Sequence, residues 1–269
     1  MKKPIDVPTQ ATVAFVASYL PSGAALLEVG CGDGRCGLEL LNRGYKVIGV
    51  DSDQELVVHA QKLGVPAVLA SWPEFECAPV DAVIFTRSLH HISPLQKAVR
   101  KAREILRSTG MLLVEDFAFD EADKVTIDWF LEVLRSQTGR ALVAPVPGEF
   151  VTDLLVATNP AAVWHNSHDH ELHTMLAMTQ AIAEHFVIRE TKLVPYLYRY
   201  LVPVLSETPE AAAFVEEVFR EEARLGECGE VVFIGRRIVA SPASQPPRHL
   251  PGYVEYQHKV RYRLLPYIW

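Results

Sequence analysis

Apolar and polar positions between residues 25 and 117 alternate between two periods. Short runs rich in Val, Ile and Leu, ALLEV (25–29), KVIGVD (46–51), AVLAS (67–71), DAVIFTRS (81–88) and GMLLVEDF (110–117), predict strands. Segments of helical spacing separate them. One covers about 35–43 and stops at Gly44; another runs from the cap Asp53 to Leu63 and stops at Gly64. A third runs to Leu106 from Ser93-Pro94, a cap and first-turn signature. A helix over 9–20, closed by Pro21 and Gly23, precedes the first strand. This rhythm implies crossover units and a parallel sheet covered on both faces, with ligands at the carboxyl ends of its strands.

The rhythm changes after residue 118. A helix is predicted over 120–136, then a Pro- and Gly-bearing stretch (139–163), a His-rich segment and a helix over about 171–185. FVIRETKLVPYLYRYL (186–201) reads as a strand with a trailing segment; Tyr196, Tyr198 and Tyr200 alternate at strand period and are expected to share a face. A mixed-charge helix covers 208–225, and GEVVFIGRRIV (229–239) is a last strand, pairing antiparallel with the earlier late strand at the sheet edge. The chain therefore divides into a core (1–118), a helical lid carrying acceptor specificity (119–185), edge strands with a helix (186–240) and a proline-linked aromatic, basic tail (241–269). The tail is expected to pack back on its own domain, with docking on a second subunit as the alternative.

A net charge of −7 argues against a nucleic-acid partner, because phosphate binding needs concentrated basic surface. The tail alone is basic, with Arg248, Lys259, Arg261 and Arg263 against Glu255. Cys31, Cys36, Cys77 and Cys228 form no C-x-x-C pair, so neither a zinc site nor a disulfide framework is indicated and reduced thiols in a cytoplasmic protein are expected. Lys2 and Lys3 before ATVAFVASYL imitate a signal peptide, but Asp6, Pro8, Thr9 and Gln10 interrupt the pattern, so an amphipathic helix is expected. No segment approaches the ~20 apolar residues of a membrane span.

LLEVGCGDG (26–34) is where the chemistry concentrates. Its glycines run G-x-G-x-G, with Arg35 following, so neither the dinucleotide fingerprint nor the Walker pattern is met. Glu28 is poorly placed for a phosphate and well placed for an ammonium group. Asp51 ends the second strand, where a carboxylate accepts ribose hydroxyls. The pair suggests a ligand with a ribose and a cationic end.

With these motifs the chain resembles the class I S-adenosylmethionine-dependent methyltransferases, in particular the small-molecule, methyltransferase type 11-like group with E-x-G-C-G-x-G. LLEVGCGDG, VIGVDSD, VLASWPEF, PVDAVIFTRSLHHI and REILRSTGMLLVEDF follow one another in family order across residues 10–118. The resemblance implies a Rossmann-like, doubly wound α/β fold: a mostly parallel seven-stranded sheet with an antiparallel edge strand and a helical lid. It implies S-adenosyl-L-methionine as cofactor. Glu28, Gly30, Cys31 and Gly32 would face its methionine part; Asp51 and Ser52 would take the ribose. Ser71 and Trp72 would flank the adenine, with Thr86 and Arg87 closing the site. It also implies methyl transfer to O or N of a small-molecule acceptor by a monomer or homodimer. A tRNA or protein methyltransferase on the same fold, or a non-catalytic cofactor-binding partner subunit, are the alternatives.

Histidine is the natural base for an acceptor that must lose a proton. His90 and His91 follow the fourth strand, at the end where the methyl group would lie. His168 and His170 stand in WHNSHDHELHTM (164–175) with His165 and His173. His170-Glu171-Leu172-His173 is H-E-x-H, one residue short of the spacing that puts two imidazoles on one helical face. Pocket lining is preferred over metal there, no metal is expected, and a metal-dependent hydrolase rests on that cluster alone.

Overall fold

The computed structural model describes residues 1–144, 146–168 and 172–243; the expectations for His170 and for most of the tail lie outside them. The first half builds as its periodicity predicts: α1 (Asp6–Ala17), β1 (Ala25–Val29), α2 (Arg35–Asn42), β2 (Lys46–Asp51), α3 (Gln54–Lys62), β3 (Ala67–Leu69), β4 (Val80–Thr86), α4 (Leu95–Ile105) and β5 (Leu106–Phe117). α1 begins earlier than expected because Pro8 falls in its first turn, where the missing N–H would have had no partner. The second half contains α5 (Lys124–Arg135), α6 (Gln137–Leu142), α7 (Phe150–Val156), α8 (Pro160–His168), α9 (Met175–His185), β6 (Phe186–Val194), a 3₁₀ helix (Leu197–Val204), α10 (Pro209–Glu227) and β7 (Gly235–Pro242).

Seven strands form one sheet in the order β3-β2-β1-β4-β5-β7-β6. β1 to β5 pair in parallel, and β7 is antiparallel to both β5 and β6. Side chains alternate between two buried faces, which is why the strands read as unbroken apolar runs. Leu26, Ala82, Ile84 and Leu113 pack with Val13, Val16 and Leu40 of α1 and α2. Leu27, Val83, Phe85, Leu112 and Val114 pack on the other face with Ala98, Val99 and Ala102 of α4 and with Met178, Ala181 and Ile182 of α9. α9 thus packs against the sheet, although the sequence groups it with the lid.

A second apolar cluster joins α5, α7 and α8 to the 3₁₀ helix and α10, making a helical cap around Phe130, Leu154, Trp164, Leu201 and Val215. The tyrosines of 196–200 do not continue a strand. Pro195 has no N–H to extend the ladder, and Oε1 of the buried Glu222 accepts the next two N–H groups, Tyr196 at 2.6 Å and Leu197 at 3.0 Å. Its Oε2 accepts Tyr198 N–H at 3.2 Å. Tyr196 and Tyr200 consequently meet at 5.8 Å between ring centroids, and Tyr198 turns away onto Phe219. No helix among the described residues is long and apolar enough to cross a membrane.

Candidate functional site

The carboxyl ends of β1 to β4 open into a cleft of about 480 Å³. Its centre is the loop after β1. Gly30 N–H and Cys31 N–H both bond to Val50 O, at 2.8 and 3.1 Å, which turns the chain across the end of β2. Gly30 adopts φ 70°, and a Cβ there would lie 2.4 Å from Ser88 Cβ; Ser88 Oγ in turn donates to Val29 O at 2.5 Å. Only glycine meets both demands, so the first glycine of the motif is a requirement of backbone and packing together.

Asp51 ends β2 and organises the same loop. Its Oδ2 accepts the Gly32 N–H at 2.8 Å and its Oδ1 accepts the Asp53 N–H at 3.0 Å. Asp53 then caps α3 by accepting from Glu55 and Leu56 N–H. Asp51 and Ser52 line the cleft, as do Ser71 and Trp72 after β3. Trp72 is mostly buried: its indole N–H donates to Ala98 O at 3.1 Å and its ring stands edge-on to Phe85. The tryptophan therefore serves both the core and the cleft wall. Glu74, Ser88, Ile92 and Ser93 also line the cleft and were not singled out from sequence. Nothing local marks them, since the folding of separate loops brings them there.

Glu28, Cys31 and Thr86 are buried beside or beneath the loop and are absent from the lining. Thr86 donates to Glu28 Oε1 at 3.0 Å, and Glu28 Oε2 has no hydrogen-bond partner among the described residues. Burial pushes the Glu28 carboxyl up to about 7, against the Thr86 and Cys36 hydrogen bonds and the charge of Arg87. The sequence expectation of a carboxylate facing a cationic ligand thus meets a side chain under the loop. Burial, reinforced by Glu28 and Asp51, pushes the Cys31 thiol up to about 12, which removes it as a nucleophile near neutral pH.

One strand further along, Glu115 of β5 lies beside Thr86 in the ladder. Its carboxylate takes the Arg199 guanidinium, Arg237 Nε at 2.6 Å and the Thr12 hydroxyl at 2.6 Å, with Arg87 3.8 Å away. Burial alone would raise its pKa, but Arg199, Arg237 and Arg87 outweigh that and hold it at about 2.

His90 is buried at the other side of β5. Its Nδ1 lies 2.7 Å from Asp116 Oδ1, close enough for a hydrogen bond although off the N–H direction. Its backbone N–H points at Asp116 Oδ2, 3.3 Å away. Asp116 is wholly buried, and its Oδ1 also accepts the Phe117 N–H at 3.0 Å. Sequence reading missed it; the available signal was the acid pair at the end of β5. The His91 ring lies 4.0 Å from that of His90, and His91 lines the cleft. Phe117 stands 4.9 Å from His90, edge-on, and stacks on Tyr196 at 4.6 Å. It also reaches His168, at 5.8 Å.

His168 sits inside the cap among Phe119, Phe150, Trp164 and Tyr200. Its Nδ1 donates to Trp164 O at 2.7 Å, which leaves Nε2 to meet Tyr200 OH at 2.9 Å. The structure therefore does not bring His168 together with His90 and His91. His173 does reach the site loop: its N–H donates to His90 O at 2.8 Å and its Nε2 lies 3.1 Å from both Ser93 Oγ and Ile92 O. No group of three or more His, Cys, Asp or Glu side chains suited to a metal occurs among the described residues.

A family described as a methyltransferase domain matches residues 27–114, the span from β1 to β5. An uncharacterized methyltransferase of Geobacillus thermodenitrificans is 29% identical over 140 residues, covering 49% of this chain and 64% of that protein. A ubiquinone biosynthesis O-methyltransferase of Caulobacter vibrioides is 22% identical over 184 residues, covering 59% and 73%. This chain spans less than two thirds of the first of these relatives. Among solved structures, geranyl diphosphate C-methyltransferase of Streptomyces coelicolor, in complex with Mg²⁺, geranyl diphosphate and S-adenosyl-L-homocysteine, superposes with TM-score 0.53 at 14% identity, over 87% of this chain and 79% of that one. That likeness is one of fold. With the glycine loop, the acid ending β2 and the strand order joined to the domain match, the chain belongs to the class I S-adenosylmethionine-dependent methyltransferases.

Proposed function

We propose that this protein transfers a methyl group from S-adenosylmethionine to an oxygen or nitrogen of a small-molecule acceptor. The residues of the cleft fit that cofactor. A carboxylate at the end of β2 suits a ribose diol, Ser71 and the edge of Trp72 suit a purine, and Gly30 lets backbone approach the ligand. When bound, the cofactor supplies an electrophilic methyl group on sulfur.

The pairing of His90 with Asp116 carries the acceptor reading. An alcohol, phenol or ammonium must give up a proton as it is methylated, and a histidine whose Nδ1 is held by a carboxylate offers Nε2 for it. Asp116 fixes the ring and stabilises the imidazolium that forms. A hydrogen bond off-line in the ligand-free site is ordinary for such a pair, which aligns in the complex. Phe117, Tyr196 and the cap aromatics beyond them form an apolar wall that excludes water from this side. The O-methyltransferase among the relatives supports the same class of acceptor.

The test is release of S-adenosylhomocysteine from purified protein and cofactor against pooled phenols, alcohols and amines. Turnover with one pool, reduced by roughly 10²- to 10⁴-fold in His90→Gln, is the expected result. Turnover retained in His90→Gln would remove His90 as the base.

A further inference from the structure

Arg87 is the one described residue other than glycine with a left-handed backbone, at φ 61°. A long side chain is held in that conformation only where its surroundings over-determine it, and such positions cluster at functional sites. Here the Arg87 N–H is fixed to Glu115 O at 2.7 Å, which turns the side chain out of the ladder at the end of β4. The residue lines the cleft and its side chain is 37% exposed.

Its charge is only loosely matched. Glu115 is the carboxylate facing it, 3.8 Å away, and that group is already occupied by Arg199, Arg237 and Thr12. Three guanidinium groups thus share one carboxylate, a surplus of positive charge at this end of the cleft. Buried Nε and Nη1 of Arg199 have no hydrogen-bond partner among the described residues. Glu28 compensates little, since burial leaves it near half-protonated at neutral pH. A site of this kind is completed by an anion.

Strand order places that anion. Asp51, Ser52, Ser71 and Trp72 stand over β2 and β3, whereas Arg87 ends β4, two strands from β2 across β1. With strands about 4.8 Å apart, the offset is about 10 Å. A ligand whose ribose meets Asp51 and whose chain crosses Gly30 therefore brings its far end to Arg87.

We infer that Arg87 binds the α-carboxylate of the cofactor's methionine moiety, and that the charge surplus around Glu115 is the part of the site shaped for it. The inference rests on the cofactor reading, and calorimetry with two ligands separates the two. S-adenosylhomocysteine carries the amino-acid end; 5′-methylthioadenosine has the adenosine and the thioether without it. Arg87→Gln should weaken S-adenosylhomocysteine by about 10- to 100-fold and leave 5′-methylthioadenosine within about twofold. Arg87→Lys should recover part of the loss, because it restores charge without the planar fork. Arg87→Gly keeps the left-handed backbone without strain and should match the glutamine variant, which controls for a folding defect. Unchanged S-adenosylhomocysteine affinity in Arg87→Gln, or an equal loss for both ligands, would overturn the assignment. A parent protein that binds neither ligand would overturn the cofactor reading and this inference with it.

Discussion

Replacing Asp51 by alanine separates two roles that the structure gives to one carboxylate. Asp51 holds the protein together locally by accepting the Gly32 and Asp53 N–H groups at 2.8 and 3.0 Å. Hydrogen bonds to a charged acceptor contribute about 1.5–3 kcal/mol each when buried. Asp51 and its donors are partly exposed, so water replaces much of each bond and about 1 kcal/mol per bond is the reasonable figure. The loss is then about 2 kcal/mol, or a fall in Tm of roughly 4–8 °C for a chain of this size. The second role is the ribose contact, whose removal should weaken S-adenosylhomocysteine about 10- to 100-fold. Scanning calorimetry reads the first effect and titration calorimetry the second. Asp51→Asn sharpens the distinction. Its single amide oxygen can keep one of the two N–H groups, so Tm should fall by about half as much. The anionic acceptor for the ribose is gone, so affinity should fall nearly as far as in the alanine variant. Parent-like affinity with a lowered Tm would show that Asp51 organises the loop and does not touch the ribose. Parent-like Tm with lowered affinity would refute the loop argument.

Two further outcomes follow from the buried acids. Asp116→Asn should lower kcat by about 10²- to 10⁴-fold on an acceptor found by the screen, with S-adenosylhomocysteine affinity near that of the parent, and combining it with His90→Gln should cost little more than either alone. Additive losses would show that the two do not act as a unit. Glu28→Gln concerns stability against pH. Burial raises the folded-state pKa from the ordinary 4.5 to about 7, so the folded protein holds this proton more tightly than the unfolded chain. The stability tied to that proton is fully present below about pH 4.5 and is lost as pH rises toward 7, on the order of 3 kcal/mol. Denaturant titrations from pH 5 to 7.5 should therefore show a shallower decline in Glu28→Gln than in the parent; Glu222, raised to about 7 in the same way by burial, leaves part of the slope in place. Parallel curves would mean that Glu28 is ionised in the fold at pH 5.

The features that were legible in the sequence are those whose cause is local. A strand buried on both faces must be apolar at every position, so β1, β2, β4 and β5 announce themselves. A turn at φ 70° against Ser88 admits only glycine, and an acid at a strand end needs no distant partner to be noticed. The rest depended on contacts between segments far apart in the chain. The tyrosines of 196–200 have strand spacing, yet Pro195 ends the ladder and Glu222, on another helix, takes their N–H groups. The α9 segment follows the cap in sequence, but its apolar face fits α4 and the sheet. His168 looks like a site histidine until Trp164 and Tyr200 take both of its ring nitrogens. His90 acquires its partner because β4 and β5 run in parallel with Thr86 beside Glu115, which sets Asp116 next to the loop after β4. Periodicity states which face a residue occupies; only the closed sheet decides which other residue it meets there.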